Sequence, residues 1–167
     1  MKLNEIEPGE NVFIDANIFI YHFTGISQEC KEFLKDCTQK KFDGFTSTTV
    51  LAEVCHRLMA IEAVKLGLAR AKQPSSYLQK NPAVVKKLSE YYMQMTNIFG
   101  WGIRIVSPDE NFIIKSQIYR QRFGLLTNDS LIPVYMEKAG AANLASADKV
   151  FSSINHLKLY SPGDINL

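Results

Sequence analysis

Asn11-Val12-Phe13-Ile14-Asp15-Ala16-Asn17-Ile18-Phe19 is the stretch that decides the fold. Val12, Phe13 and Ile14 are consecutive β-favouring apolar residues. Such a run reads as a short strand buried on both faces, as in the middle of a parallel sheet. Asp15 follows at once. A carboxylate there stands at the carboxyl end of a central strand, where open α/β sheets bind their ligands. Asn17 can turn its amide back toward the same spot. An acid so placed is costly to bury and needs either a partner or a function.

Working outward, Ile18 to Phe23 starts a helix that Gly25 breaks. Ser27 caps a second helix running to about Cys37. Lys35, Lys40 and Lys41 gather near its end, where cations suit the helix dipole. They read as a solvated terminus or as a phosphate-contacting patch. Phe42 to Ser47 is a second strand, and Ser47, Thr48 and Thr49 offer N-caps for a long helix to about Ala71. Leu51, Val54, Cys55, Leu58, Ile61 and Glu62 share one side of that helix. Glu53 lies on the other side with His56, Arg57 and Ala60. The residue three before it is Val50, so no capping box accounts for Glu53. It is either a solvated acid paired with Arg57 at i+4 or a site residue.

Residues 72 to 81 read as a loop. Asn81-Pro82 opens a further helix with an apolar stripe of Val85, Leu88, Tyr92, Met95 and Phe99, closed by Gly100. Tyr91, Tyr92 and Trp101 suit helix packing, with base stacking as the other use of such rings. Ile103 to Val106 is the third strand. Ser107-Pro108-Asp109-Glu110 reads as a capping box, which takes Asp109 and Glu110 out of the candidate site. That helix runs to Arg122, and Gly124 ends it. Thr127-Asn128-Asp129-Ser130 opens the next helix, with Asp129 a natural N-cap and Pro133 in the first turn. Asn143 to Ala147 is a fourth strand, closed by Ser146-Ala147-Asp148. Leu157 to Tyr160 is the fifth.

This alternation predicts a three-layer α/β/α sandwich around a mostly parallel sheet of about five strands. The 167 residues suit one domain over 1–167, with a helical insertion at about 60–102. A net charge of +2 neither demands nor excludes a nucleic-acid partner. Cys30, Cys37 and Cys55 have no metal-ligand spacing, and their odd number suits a reducing cytoplasm. The polar start Met-Lys-Leu-Asn-Glu is no targeting segment, and no apolar run is long enough to span a membrane. Parallel crossovers bring strand ends to one edge of the sheet. Asp15, Glu53, Asp129 and Asp148 can converge there, with Asn17 and Ser146 beside them.

Four motifs in this order resemble the PIN-domain family, in particular VapC-type toxin ribonucleases. They are Ile-Asp-Ala-Asn-Ile-Phe at 14–19, Ser-Thr-Thr-Val-Leu-Ala-Glu at 47–53, Leu-Thr-Asn-Asp-Ser-Leu-Ile at 126–132 and Leu-Ala-Ser-Ala-Asp at 144–148. The resemblance covers nearly the whole chain. It implies that Asp15, Glu53, Asp129 and Asp148 form an acidic site supported by Asn17 and Ser146. Two features depart from the family's pattern. Pro133 stands where a small residue is usual, which bears on the aim of the Asp129 carboxylate. The segment at about 60–102 is longer than in compact toxins.

The residue types point to the chemistry. Four crowded carboxylates cannot all stay ionised without a cation. Hard oxygen ligands select Mg²⁺ or Mn²⁺ over Zn²⁺. Such ions serve the hydrolysis of phosphodiesters. The resemblance makes the substrate RNA, cut to leave a 5′-phosphate and a 3′-hydroxyl. Asp15 and Asp148 are read as central metal ligands and Glu53 as ligand or water positioner. Asp129 is read as a further ligand, and Asn17 and Ser146 as orienting groups. The scattered His22, His56 and His156 take no catalytic role.

Other readings differ in one feature each. A haloacid-dehalogenase-type phosphatase needs an Asp where Asn17 stands. A receiver domain needs paired acids near the first strand. A catalytically idle PIN module would bind RNA or protein without a metal. The stripe Val85, Leu88, Tyr92 and Met95 predicts a homodimer, which the resemblance also suggests. For a toxin the resemblance implies a small antitoxin as partner. Ile18, Phe19, Ile20, Tyr21 and Phe23 can line its groove, or simply pack in the core.

Overall fold

The computed structural model describes residues 1–70 and 72–165. Its centre is a five-stranded sheet, every pairing parallel, with strand order β3-β2-β1-β4-β5. The strands are β1 (Asn11–Ile14), β2 (Asp43–Ser47), β3 (Arg104–Val106), β4 (Asn143–Ala145) and β5 (Lys158–Tyr160). The all-parallel sheet with helices on both sides is the expected α/β/α sandwich. β1 occupies the middle, and Val12, Phe13 and Ile14 are completely buried. A strand covered on both faces has no solvent side to carry polar residues, so its sequence is an unbroken apolar run. Chain order runs from β1 outward to β2 and β3, then returns past β1 to β4 and β5. The reversal places a crevice between the carboxyl ends of β1 and β4.

Local sequence explains most helix ends. In α1 (Ala16–Thr24), Asp15 is the N-cap and Gly25 closes the helix in the left-handed conformation at φ 70°. In α2 (Gln28–Thr38), the Ser27 hydroxyl accepts from Cys30 N–H. In α3 (Thr48–Lys65), the Ser47 hydroxyl accepts from Val50 N–H. α3 stops at Lys65, short of the expected end near Ala71, which lies outside the described residues.

The insertion is more broken than its sequence suggests. Residues 72–81 are not all loop: Pro74 sits in the first turn of α4 (Pro74–Lys80). The single striped helix expected after Asn81 is three pieces: α5 (Pro82–Val85), α6 (Glu90–Asn97) and a 3-10 turn (Ile98–Trp101). Breaking the helix rotates its residues out of register. Leu88 is buried while Tyr92 is 61% and Phe99 54% exposed. No common face remains to support the homodimer expected from that stripe. Trp101 stacks on Phe23 and lies edge-on to His22, which is the packing use of that ring.

α7 (Glu110–Phe123) is capped by Asp109, whose side chain accepts from Asn111 N–H; the expected box from Ser107 does not form. α8 (Thr127–Lys138) starts earlier than expected, after Leu126, so Asp129 is in its first turn and is not its cap. Pro133 therefore lies inside α8. It supplies no N–H to the Asp129 carbonyl one turn back. Ile18, Phe19 and Ile20 are buried and pack in the core, while Tyr21 and Phe23 are half-buried and Phe23 lines a cavity with Leu58, Ile61 and Gln94. Lys40 donates to the Gly102 carbonyl at 2.6 Å and Lys41 pairs with Asp36 at 2.7 Å, which spends two lysines of the expected patch on the fold itself. No helix among the described residues is long and apolar enough to cross a membrane.

Glu62 does what the α3 stripe did not foretell. It is buried, and its carboxylate accepts from the backbone N–H groups of Ser89, Glu90 and Tyr91 at 2.8, 3.0 and 2.9 Å. It thus caps α6 from another helix and ties the insertion to α3. Burial raises its pKa, but the backbone donors outweigh burial and hold it below the usual carboxylate range. Glu62→Ala should cost about 1–3 kcal/mol, because it strands part-buried N–H donors of a charge-assisted cap. Thermal melting and amide exchange at residues 89–91 would check this; an unchanged melting temperature would refute it.

Candidate active site

Asp15 takes its place because β1 ends and α1 begins on it. One carboxylate oxygen, Oδ1, accepts from Ala16 N–H at 2.6 Å. The other, Oδ2, accepts from the Asn17 amide at 2.6 Å and the Ser146 hydroxyl at 2.6 Å. An ionised carboxylate has about four lone-pair directions. These three donors leave one open, on Oδ1. Thr46, in neighbouring β2, donates its hydroxyl to the Ile14 carbonyl at 2.8 Å and fixes the strand just before Asp15. The sequence reading missed Thr46; its only signal is a hydroxyl between Phe45 and the helix cap Ser47 at the end of the strand.

Asn17 and Ser146 are the clamp. The Asn17 amide also donates to Ser146 Oγ at 3.1 Å, and its carbonyl accepts from Ala147 N–H at 3.0 Å. Ser146 Oγ further accepts from Asp148 N–H at 3.0 Å. One network therefore joins the end of β1 to the end of β4, across the crevice set by strand order. Sequence proximity predicts the Asp15–Asn17 contact. Only the pairing of β1 with β4 brings Ser146 to them.

The other acids surround this clamp without closing on it. Asp148 is exposed, and its Oδ1 accepts from Val150 N–H at 3.0 Å, capping a 3-10 turn over Lys149–Ser153. Glu53 is half-buried and meets Arg57 at 3.4 Å, the i+4 pairing its spacing allows. Asp129 is half-buried in the first turn of α8. Among the described residues, no three His, Cys, Asp or Glu side chains gather tightly enough to hold a metal ion as they stand.

Electrostatics nevertheless links all four acids. Burial lifts the Asp15 pKa from an ordinary 3.8 to about 6; the Ser146 and Ala16 donors oppose the rise, and the charges of Glu53 and Asp129 add to it. Burial likewise raises Asp129, and Asp148 and Glu53 raise it further. Negative charge is thus concentrated at the crevice, and every donor in the set is a hard oxygen. That chemistry fits Mg²⁺ or Mn²⁺ better than Zn²⁺. Asp15 and Asp129, with Asp148 and Glu53, are the residues that would have to draw together to hold such an ion.

A PIN domain model matches residues 12–157. The chain belongs to the PIN-domain family. It is 24% identical over 159 residues to Ribonuclease VapC2 of Methanocaldococcus jannaschii, spanning 94% of this chain and 98% of that protein. Solved structures that share the fold include two toxin–antitoxin systems. One is VapBC2 from Rickettsia felis bound to a DNA fragment from its promoter, with TM-score 0.57 and 16% identity, covering 90% of this chain and 98% of that one. The other is a toxin–antitoxin complex from Klebsiella pneumoniae, with TM-score 0.56 and 17% identity, covering 93% and 99%.

The Asp15 environment has a thermodynamic consequence. Its folded pKa lies above its unfolded value, so the folded state binds the extra proton between the two. Metal-free stability should fall by about 3 kcal/mol on this account as pH rises from 4 to beyond 6, then level off. Asp15→Asn removes that slope. It also turns an acceptor oxygen into a donor within the clamp, at about 1–3 kcal/mol. The variant should be less stable than the wild type near pH 4 and close to it near pH 7. Denaturant melts of both proteins in EDTA across this range test the point; a difference that does not change with pH would contradict it.

Proposed function

We propose that this chain is a Mg²⁺- or Mn²⁺-dependent endoribonuclease that hydrolyses RNA phosphodiester bonds at Asp15, Glu53, Asp129 and Asp148. The observation that carries the reading is Asp15 itself. It is buried and clamped by Asn17 and Ser146, with one acceptor direction open and its proton held up to about pH 6. A structural aspartate accepting that many donors is ordinarily pushed down in pKa. Here burial and neighbouring acids prevail, as suits a site built for a cation. The similarity to a protein named as a ribonuclease supports RNA as substrate.

A divalent ion bound there neutralises phosphate charge, acidifies water and stabilises the leaving oxygen. The chain's own residues do the rest. Asp15 and Asp148 would hold the ion from the ends of β1 and β4. Asn17 and Ser146 fix the Asp15 rotamer, so the carboxylate does not reorganise as charge develops. Glu53, now paired with Arg57, would ligate the ion or position the attacking water. Asp129 would be the further ligand, presented from the first turn of α8. One domain spans 1–167 and works in the cytoplasm. The likeness to toxin–antitoxin complexes supports a cognate antitoxin as protein partner.

A second reading has its own support. Glu53 and Asp148 are each occupied locally, by Arg57 and by Val150 N–H, and no closed ligand set exists among the described residues. An idle PIN module that binds RNA or protein without a metal would look the same.

The two readings part on Asp15→Asn. For the nuclease, metal-dependent cleavage of single-stranded RNA is abolished while the variant stays folded. Mg²⁺ raises the melting temperature of the wild type by mass action and much less that of the variant. Because binding must displace the Asp15 proton, apparent Mg²⁺ affinity weakens about tenfold per pH unit below 6 and is flat above it. Calorimetric titration at pH 5 and pH 7 reads that slope. No Mg²⁺ binding at millimolar levels, or RNA cleavage that persists in EDTA, would overturn the nuclease.

A further inference from the structure

α1, α2 and the end of the insertion border a cavity of about 370 Å³. That volume lies within the range of small-molecule sites. Lys31, Leu34, Lys35 and Thr38 line it at spacings of three and four, so they come from one side of α2. His22 of α1 and Trp101 complete the wall. None of the four crevice acids is among the lining residues. α1 begins just after Asp15, and His22 lies about 10 Å further along its axis. The cavity is therefore a different place from the crevice.

Its charge is positive. No acidic side chain lines it, and among the described residues neither Lys31 nor Lys35 takes part in an ion pair. The nearby acids of α2 are engaged elsewhere: Asp36 pairs with Lys41, and Glu32 accepts from the Gln28 amide. Burial, and then the charge of Lys31, hold His22 below its ordinary pKa, so its ring stays neutral beside the two ammonium groups. Two ammonium groups one helical turn apart suit a multiply charged anion such as a phosphate.

Trp101 supplies a flat apolar wall. It stacks on Phe23 with ring centroids 5.5 Å apart, and Lys40 fixes the turn that carries it by donating to the Gly102 carbonyl at 2.6 Å. That packing leaves the residue half-buried, and it lines the cavity as well. Thr38 spends its hydroxyl proton on the Leu34 carbonyl at 3.0 Å and remains an acceptor. Gln39 beside it brings an amide that both donates and accepts.

A charged phosphate, a flat ring and a hydrogen-bonding sugar occur together in a nucleotide. We propose that this cavity is a second ligand site, apart from the acidic crevice, that takes one nucleotide unit with its phosphate between Lys31 and Lys35 and its base against Trp101. Thr38 and Gln39 then meet the sugar or the base edge. The proposal does not depend on the nuclease reading, because its test reads binding with metal removed.

Trp101 is the only tryptophan in the chain, so its emission reports on the cavity directly. In EDTA the crevice acids repel anions. Adenosine monophosphate should there change Trp101 emission saturably, with half-saturation at or below about 1 mM. Adenosine lacks the charge and inorganic phosphate lacks the base; each should bind at least about tenfold more weakly, the latter read by competition. Lys31→Glu and Lys35→Glu should each weaken adenosine monophosphate at least about tenfold with an unaltered circular dichroism spectrum, since both side chains are exposed. Lys115→Glu on α7 makes the same charge change outside the cavity and should leave affinity within about twofold. An oligoribonucleotide in EDTA displaces adenosine monophosphate if the cavity accepts a unit within a strand, and does not if it takes free nucleotide alone; either result upholds the site. No saturable change in emission up to about 10 mM overturns the proposal. So does binding indifferent to both lysine exchanges, or inorganic phosphate that binds as tightly as the nucleotide.

Discussion

The hydrogen-bonded junction of Asp15, Asn17 and Ser146 is the constraint around which the rest is arranged. It closes the gap between the carboxyl ends of β1 and β4, where the order of the sheet reverses. A parallel sheet leaves its strand-end backbone groups unpaired at that gap, and buried polar groups there must be satisfied. Ser146 links the two strand ends, donating to the Asp15 carboxylate and accepting from the backbone Asp148 N–H. Everything above the sheet is then placed relative to a carboxylate that cannot turn.

Opposing effects meet at that carboxylate. Hydrogen bonds from Ala16, Asn17 and Ser146 favour its charged form, while burial and the neighbouring acids disfavour it more. The balance leaves the native, metal-free protein carrying electrostatic stress at neutral pH. Such stress has no structural use, since an apolar residue would fill the space at less cost. It is understandable where positive charge is to be bound. Glu62 shows the contrast within the same molecule: also buried, it meets three backbone donors and the charge of Lys65, and its pKa is lowered. Burial acts on both; what else faces the carboxylate decides the sign.

The insertion and α7 illustrate how the same apolar residues acquire different roles. The stripe from Val85 to Phe99 looked like a binding face only while it was assumed to be one helix. Its division into α5, α6 and a 3-10 turn sends Leu88 inward and Tyr92 outward. α7 is continuous over Glu110–Phe123, so its periodicity survives and its outward isoleucines stay in line. An unbroken helix is the condition under which i and i+4 residues share a face.

The central sheet was legible in the sequence because local physics dictates it. Val12 to Ile14 can only be a doubly buried strand, and Gly25, Ser27 and Ser47 act on hydrogen bonds within a turn of themselves. Asp15, Asp129 and Asp148 were legible because each stands at the end of an element, Glu53 because no capping accounts for it, and the family through short motifs near those positions. What lay between distant segments was not. The capping of α6 by Glu62, the start of α8 ahead of Asp129 with Pro133 inside it, and the breaking of the insertion all depend on partners far along the chain. So does the pKa of Asp15, because desolvation belongs to a packed environment and not to a residue. Sequence by itself determined which groups stand at the crevice; the tertiary structure alone decided how they are held, since hydrogen bonds such as Asp15–Ser146 exist only once β1 has paired with β4.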